Sequence, residues 1–368
     1  MKEPLDGLSV AAALLAMSLG PALRASSAHS DQAPLPAALA SFLTDEAHGS
    51  ASDRDLLLAG EPVVKLLDAD PAREVAVFGA VWVDAPSTLY VDQVKRIEEL
   101  EQGRAFPITK RISDPPTPDD FAAMEMSDKD FDDLKNCKIG DCLVKLDAEA
   151  IAALRSEVDW GKPTAKADAT AVFRRLALRY VNAYREGGNA RLAVYRDEER
   201  PAFAANEFRS MIDRLPRLVG EWPDLQRYLL GYPAATLPNS SDFLYWQEVR
   251  FGLKPTIRIN HLVVQERPGQ TVIASKMLYA SHYFWTALEL RVPLADPARG
   301  PGFWYVTVTR SRSDGLAGFT GRAIRGRVRT EAQNGMRAAL TGVKRRLESL
   351  ARQPSREAPR PSIERTGS

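Results

Sequence analysis

The chain has 368 residues, of which 45% are hydrophobic, and this composition excludes an intrinsically disordered protein. The length is compatible with one large domain or with two of modest size. The 49 lysines and arginines nearly balance the 48 aspartates and glutamates. No overall field therefore attracts the chain to nucleic acid, and we expect no nucleic-acid partner.

The N-terminal residues 1–28 have the pattern of a secretory signal peptide. Residues 8–23 are apolar but interrupted by Gly20-Pro21, and small residues follow up to Ala28, near which a signal peptidase would cut. The alternative is a frayed N-terminal helix of a cytoplasmic protein. We expect a periplasmic or secreted protein, since no later segment has the ~18 uninterrupted apolar residues of a transmembrane helix.

The next elements are read from composition and periodicity. Residues 29–54 are rich in Ala, Pro and Ser, which predicts a linker or a loosely docked helix. A helix is predicted over residues 55–67, where leucine and valine recur at heptad-like spacing. Residues 73–83 are rich in β-branched and aromatic side chains, which predicts a strand. Pro86 suits the first turn of a following helix that Asp84 caps.

Residues 103–240 are predicted to be mostly helical. They include a proline-rich acidic loop at 113–120, and Ser127 has the character of a helix N-cap. Residues 168–185 form a clear amphipathic pattern that ends at Gly187-Gly188. Further helices are predicted at 121–134, within 143–154 after a short strand, at 204–215 and at 223–230.

The two cysteines of the chain, Cys137 and Cys142, lie close together. In an exported protein an oxidising compartment favours a disulfide, and Gly140-Asp141 would supply the tight turn. So small a loop would contribute about 2 kcal/mol in the chain-entropy model. The alternatives are free thiols or a metal site, although the two-residue spacing and further ligands typical of metal sites are missing nearby.

Residues 242–312 are the densest source of aromatic and β-branched residues. Turn-like breaks at Lys254-Pro255, at 267–269 and at 296–302 divide them into four segments, which predicts consecutive antiparallel strands. We expect a curved antiparallel sheet.

A long amphipathic helix is predicted over residues 327–352. Its apolar residues fall on one stripe and basic residues largely cover the rest, so the helix needs an apolar surface, which the preceding sheet offers. Residues 353–368 are rich in Pro, Arg and Ser and are predicted to be disordered.

The order strand, helix, inserted helices, antiparallel strands and long C-terminal helix resembles the helix-grip fold of the START and polyketide-cyclase-like superfamily (SRPBCC). The resemblance rests on residues 75–100, which contain VFGAVWVDAPSTLYVDQVKRIEEL, and on residues 242–350. Members of that superfamily wrap a curved sheet around a C-terminal helix and leave a deep apolar cavity between them. The resemblance therefore implies an α+β helix-grip domain over 55–352, with a helical insertion at about 103–240.

His261 and His282 both fall on predicted strands. Strand alternation places His261 on the face of Ile257 and Ile259, and His282 on the face of Phe284, which favours inward positions. Two inward histidines would act as an acid/base pair or orient the polar head of a ligand. The alternative is a pair of core histidines satisfied by hydrogen bonds.

Other residues of the predicted strands complete the candidate site. Glu248 and Arg310 would fix a ligand carboxylate or hydroxyl if buried, or would point to solvent. Aromatic residues would line a cavity or fill a packed core. The candidate ligand-binding residues are Tyr245, Trp246, Glu248, His261, Tyr279, His282, Phe284 and Arg310.

The sequence contains no nucleophile elbow, HExxH, Walker loop or dinucleotide fingerprint. No cofactor and no metal are therefore expected. The pattern and the resemblance together favour non-catalytic binding or transport of a hydrophobic molecule, such as a lipid, sterol or polyketide-like compound, and leave room for transient contact with a membrane. The alternatives are a cyclase- or aromatase-like enzyme that uses His261, His282 or Glu248 as acid/base, or a protein-interaction module built on the helical insertion.

Overall fold

The computed structural model describes residues 34–214, 222–250, 254–316 and 318–353. The expected signal peptide (1–28) and all but the first residue of the expected disordered tail lie outside these residues. The fold is α+β, with a curved eight-stranded antiparallel sheet, a long C-terminal helix and several helices in the N-terminal half. Within the described ranges, no helix has the length and apolar character needed to span a membrane.

Two short helices, α1 (Ala37–Asp45) and α2 (Ala51–Leu58), precede the sheet. They lie mostly in the segment expected to be a linker or a loosely docked helix, but α1 is part of the core. Leu39 is fully buried, and the ring of Phe42 lies 5.0 Å from that of Phe78. Burial of three apolar side chains on so short a helix fixes it against the sheet.

The helix expected over 55–67 is only partly present. The helix α2 ends at Leu58, and the strand β1 (Val63–Leu66) occupies the remainder, pairing with β2 (Glu74–Val83). Val63 and Val64 are buried at the edge of the sheet. Tertiary burial of these β-branched residues therefore overrides the heptad-like spacing.

The helix predicted after β2 is present as α3 (Ser87–Lys95) and α4 (Ile97–Leu100). Pro86 is the N-cap residue of α3, without a side-chain hydrogen bond from a capping group. Residues 103–240 are mostly helical, as expected, but β3 (Ile108–Arg111) joins the main sheet beside β6. The other elements of this insertion are a 3-10 turn (Pro118–Phe121), α5 (Asp128–Lys135), α6 (Ala148–Glu157), α7 (Ala165–Gly187), a 3-10 turn (Gly188–Arg191), β4 (Val194–Tyr195), β5 (Ala202–Phe203), α8 (Ala204–Ile212) and α9 (Pro223–Gly231).

The disulfide between Cys137 and Cys142 closes the loop after α5, with the two Cα atoms 4.5 Å apart. The N-cap of α5 is Ser127, whose side chain accepts a hydrogen bond from the backbone N–H of Asp130, as predicted from its residue type.

The region predicted as four β segments contains five strands, namely β6 (Ser240–Val249), β7 (Thr256–Arg267), β8 (Gln270–Ala280), β9 (Phe284–Ala295) and β10 (Phe303–Ser313). The extra break is a tight turn at residues 281–283, which joins β8 to β9. Tyr283 adopts a φ of 65° there, a left-handed conformation without the Gly or Asn that usually marks one. His282 therefore lies in a turn, and the prediction that it belongs to a strand is wrong.

The strand order of the sheet is β1-β2-β10-β9-β8-β7-β6-β3. The C-terminal helix α10 (Gly318–Ala351) crosses β2 at Gly79, where an added Cβ would come within 3.0 Å of Leu340 and Met336. Glycine at this position lets the helix approach the strand closely.

The two faces of the sheet have different covers. The first, which we call the α10 face, carries Val77, Leu262 and Tyr305 and packs against α3 and α10. The second, which we call the insertion face, carries Phe78, Val263 and other alternate residues and is covered by α1, α7, α8 and α9. Both faces are buried, so the sheet is the middle layer of the fold.

Candidate ligand-binding site

The eight candidate ligand residues do not converge on one site. Tyr245 lies on the α10 face, where its hydroxyl is 3.0 Å from Ser275 Oγ. Five others are placed on the insertion face by strand alternation and core packing, namely Trp246, Glu248, His261, Tyr279 and Arg310. His282 is in the β8–β9 turn and Phe284 is the first residue of β9. The expected single constellation on the wall facing the C-terminal helix is therefore not formed.

An apolar cavity of about 360 Å³ lies between the insertion and the insertion face of the sheet. Phe173 and Tyr180 of α7 form one wall, and Ile257, Ile259 and Tyr279 of β7 and β8 form the other. The remaining apolar lining comes from α6, from α7, from the segment after α7 and from two loop residues that precede α5 and α6. These residues are Met124, Leu146, Ala150, Leu176, Ala177, Ala183, Ala190, Leu192, Ala193 and Val194. Of the eight candidates, only Tyr279 lines this cavity.

The two tyrosines of the cavity wall have their hydroxyls occupied by backbone groups. Tyr180 donates to Leu278 O at 2.6 Å, and Tyr279 donates to Lys145 O at 2.9 Å. Burial raises the pKa of both phenols well above their ordinary value, so both are neutral at physiological pH. The rings therefore present apolar surface to the cavity while their polar ends are already satisfied.

Charged side chains stand among the residues that line the cavity. Arg179 forms an ion pair with Glu149 at 2.7 Å, and both are exposed. Asp147 caps α6 by accepting from the backbone N–H of Ala150 at 2.7 Å. Arg191 is exposed and, within the part of the chain that the structure describes, has no ion-pair partner. The lining therefore combines apolar walls with two arginines and two carboxylates, of which only Arg179 and Glu149 pair with each other.

His261 belongs to a separate buried cluster. Its Nε2 donates to Asp242 Oδ2 at 2.7 Å, and its Nδ1 accepts from the hydroxyl of Tyr184 at 2.9 Å. The Asp242 carboxylate also accepts from the hydroxyl of Tyr228 at 2.6 Å. These bonds connect β6 and β7 with α7 and α9, so the histidine ties the insertion to the sheet.

Burial and hydrogen bonding act on the protonation of this cluster in opposite directions. Burial lowers the pKa of His261 despite the neighbouring carboxylate of Asp242. Burial alone would raise the pKa of Asp242, but hydrogen bonds from His261 and Tyr228 hold it below its ordinary value. The neutral imidazole and the ionised carboxylate are the favoured pair.

Lys276 extends the His261 cluster into the core. It is opposite His261 in the β7–β8 register and is fully buried. Its Nζ donates to Tyr184 Oη at 3.2 Å and to Asn189 Oδ1, and lies 4.5 Å from the centroid of the Phe208 ring. Within the described ranges, no carboxylate forms an ion pair with this amine. Burial lowers the pKa of Lys276 to about 7.

The hydrogen bonds of the cluster run in one direction, from Lys276 to Tyr184, then to His261 and finally to Asp242. Such a chain conducts polarisation from a half-exposed carboxylate to a buried amine. None of its four members lines the 360 Å³ cavity. The arrangement therefore fits the structural alternative for His261 better than an acid/base role toward a ligand in that cavity.

Both ring nitrogens of His282 also have hydrogen-bond partners within the protein. Its Nε2 is 2.8 Å from Asp130 Oδ1, and its Nδ1 is 3.1 Å from Leu143 O. The adjoining Lys145 pairs with Asp197 at 2.9 Å and also with Asp314. The contacts of His282 attach α5 and the chain after the disulfide loop to the β8–β9 turn. The two histidines belong to different clusters and do not form the expected pair.

Glu248 and Arg310 are also engaged by other residues. Glu248 accepts from Arg250 Nε at 2.8 Å, whereas Arg310 Nε donates to the buried Glu74 at 2.6 Å. Arg310 borders a second, more open pocket of about 390 Å³. That pocket is lined mainly by charged residues, namely Asp45, Glu46, Asp68, Arg214 and Arg310, with Leu67 and Ala69. A hydrophobic ligand would have to desolvate these charges, which is unfavourable.

The α10 face, where a ligand cavity was expected, carries a paired polar network. Arg291 contacts Glu289 at 2.6 Å and Glu101 at 3.3 Å. Burial alone would raise the pKa of Glu289, but the Arg291 guanidinium holds it below its ordinary value. Beside this network, the hydroxyls of Tyr90 and Tyr305 lie 3.4 Å apart.

The residues that sequence reasoning missed had recognisable signals. Phe173, Tyr180 and Tyr184 recur at steps of seven and four, which places them on one side of α7. Lys276 is the single charged residue between Thr271 and Ala280, in a segment that is otherwise typical of a buried strand. A lone charge in such a run indicates either a solvent-facing side chain or a special interior site.

Comparison with known proteins adds no assignment, since no family model matches the chain and no curated protein matches it significantly. In the residues that the structure describes, no group of three or more His, Cys, Asp and Glu side chains is placed to hold a metal ion.

Proposed function

We propose that the protein binds a hydrophobic small molecule, without transforming it chemically, in the cavity between α6, α7 and the insertion face. The observation that carries the proposal is the 360 Å³ apolar space, with ring faces of Phe173, Tyr180 and Tyr279 on its walls. Its volume lies in the range of about 300 to 1,000 Å³ that is typical of small-molecule sites.

The chemistry of the walls indicates the class of ligand. Each methylene group buried against them would contribute about 0.8 kcal/mol, and the phenol hydroxyls are unavailable because they bond to the backbone. A ligand with an extended apolar body therefore suits the cavity. Arg191, which has no ion-pair partner among the described residues, suits a carboxylate or another anionic group at one end. A lipid, a sterol derivative or a polyketide-like acid meets this description.

We further propose a distant relationship to the START and polyketide-cyclase-like superfamily. The support is the curved antiparallel sheet in the order β2-β10-β9-β8-β7-β6-β3, with a long C-terminal helix packed on β2. The chain departs from that pattern by placing its apolar cavity on the insertion face. The insertion would then supply the lid and half of the lining.

Export to the periplasm or the cell exterior is part of the proposal. Its support is the apolar N-terminal pattern of residues 8–23 together with the disulfide of Cys137 and Cys142, a bond that persists in oxidising compartments.

The test is to fill the cavity from one wall. Ala183 of α7 lines the cavity, so Ala183→Trp should occupy the ligand volume. We expect binding of a fluorescent fatty acid or sterol to weaken about tenfold or more, which corresponds to about 1.4 kcal/mol.

Ala167→Trp is the matched control, because Ala167 is exposed in the first turn of the same helix and does not line the cavity. It should bind the probe as the wild type does. Equal affinity of both tryptophan variants and the wild type, measured by fluorescence titration on folded proteins, would place the binding site elsewhere.

A further inference from the structure

The C-terminal helix concentrates the positive charge of the protein. Residues 318–351 contain eight basic and two acidic residues, a net charge of +6. The whole chain has a net charge of only +1, so the remaining residues together carry −5. Four arginines fall within eight residues at the start of the helix, at 322, 325, 327 and 329, with no acidic residue among them.

The arginines of α10 are not neutralised by the protein. Among the described residues, none of the seven arginines of the helix forms an ion pair, and the one ion pair on α10 joins Lys344 to Glu348. Arg325 and Arg337 donate to backbone carbonyls of Leu316 and Pro62, which carry no compensating charge.

Several arginines elsewhere on the protein are paired, as Arg175 is with Glu157 at 2.6 Å. Exposed arginines without an ion pair among the described residues, such as Arg104, Arg155 and Arg200, are scattered along the chain, whereas α10 has four arginines within eight residues. This concentration of unpaired positive charge on one helix indicates an external counter-charge.

The arginines of this segment lie outside the apolar stripe that packs on the sheet. Arg322 and Arg327 are exposed and Arg329 is partly exposed. Val328 and Met336 pack against the core of the α10 face, so the helix is held by its apolar stripe while the arginines remain accessible.

We propose that the arginine surface of α10, defined by Arg322, Arg325, Arg327 and Arg329, docks the protein on an anionic lipid bilayer. Its charge complements the phosphate-bearing headgroups, while the apolar stripe of the helix stays packed against the sheet. Docking of this kind is reversible and depends on the anionic lipid content. The inference does not require the proposed ligand function, since it uses a different element of the fold.

A nucleic-acid partner would use the same charge but fits the helix less well. Single-stranded nucleic acid is bound by basic side chains interleaved with aromatic rings on which bases stack. Residues 321–351 contain no aromatic residue. The near-neutral chain as a whole also lacks the strongly basic character of phosphate-backbone binders.

The experiment is vesicle sedimentation with the full-length chain. We compare vesicles of phosphatidylcholine alone with vesicles that also contain phosphatidylglycerol, at low and high salt. We expect binding only to the anionic vesicles, lost at high salt because screening removes the attraction. Each basic residue near an anionic surface strengthens binding about fivefold, so a variant with Arg322→Glu, Arg327→Glu and Arg329→Glu should bind on the order of a hundredfold more weakly.

The matched control makes the same charge change at exposed arginines outside the helix, with Arg104→Glu, Arg155→Glu and Arg200→Glu. It should retain most of the binding to anionic vesicles, because those arginines do not belong to the arginine surface. A circular dichroism melting curve establishes that each variant is folded.

Three outcomes would overturn the inference. One is equal binding to neutral and anionic vesicles, and another is equal loss in the two triple variants. The third is tight binding of a labelled oligonucleotide, lost only in the α10 variant, together with no binding to vesicles.

Discussion

Two buried cations of the central sheet, one on each face, are stabilised in opposite ways. On the α10 face, Arg291 lies between Glu289 and Glu101, so the buried cation is matched by carboxylates at 2.6 and 3.3 Å. On the insertion face, Lys276 is fully buried with only neutral acceptors, Tyr184 and Asn189, around its amine. The charge of Arg291 is fixed by pairing, whereas burial lowers the pKa of Lys276 to about 7. The contrast belongs to Lys276 alone, because another cation of the insertion face, Arg310, is paired with the buried Glu74 at 2.6 Å.

This difference separates a paired network from a cation without a carboxylate partner. A paired buried network is costly to break because removing one member leaves the other charged and desolvated. Lys276 instead contacts neutral acceptors, so its removal leaves no carboxylate without a cation.

The largest effect on stability is expected from breaking the ion-pair network of Arg291. Arg291→Met should leave Glu289 and Glu101 without their cation and lower the free energy of unfolding by about 3 to 5 kcal/mol. Chemical denaturation measures this change.

The matched control is Arg175→Met, which removes one partner of an exposed ion pair with Glu157. It should change the free energy of unfolding by less than about 1 kcal/mol. A loss of the same size in both variants would contradict the distinction between the two environments.

The next effect has the opposite sign. Lys276→Met replaces a buried unpaired amine by a side chain of similar shape, and we expect the free energy of unfolding at pH 7 to rise by about 2 to 3 kcal/mol. A lower free energy of unfolding of the variant at pH 7 would contradict the expectation that the buried amine destabilises the fold.

The pH dependence of stability identifies the same group. The pKa of Lys276 is about 7 in the fold, against 10.5 as its ordinary value, so the unfolded chain binds more protons between these two pH values. Stability from this group is therefore lowest below pH 7 and rises with pH through that window. Lys276→Met should remove this rise, and its stabilising effect should shrink toward pH 10.

A smaller effect tests the covalent link within the insertion. The double variant Cys137→Ser and Cys142→Ser should lose about 2 kcal/mol of unfolding free energy, because the unfolded chain regains the freedom of the opened loop. Wild type under reducing conditions should show a similar loss. An unchanged midpoint of denaturation in both experiments would show that the bond adds no stability.

Much of the fold could be predicted because the signals are local. Strand β2 differs by one residue from the segment expected at 73–83, and the predicted helix at 223–230 matches α9. The break at residues 281–283 could not be predicted, since Tyr283 takes its positive φ in an aromatic run without Gly or Asn. The strand β1 could not be predicted from the sequence, because only its pairing with β2 shows that Val63 and Val64 are at a sheet edge.

The candidate site could be predicted less well than the fold. Strand alternation correctly predicted that His261 shares a face of β7 with Ile257, Ile259 and Val263. Alternation alone does not indicate which layer of the fold covers that face. The covering layer is a long insertion whose docking depends on contacts distant in sequence, such as Tyr184 with His261. The position of the cavity could therefore not be predicted from the sequence.

The measurement that tests the central claim most directly is native mass spectrometry of the protein purified from its own host, with Ala183→Trp prepared in parallel. The account predicts a bound hydrophobic molecule on the wild type that dissociates on activation and is depleted in the Ala183→Trp variant, whose cavity is filled. A clean apo mass for the wild type, with no uptake of added fatty acids or sterols, would contradict the proposed function.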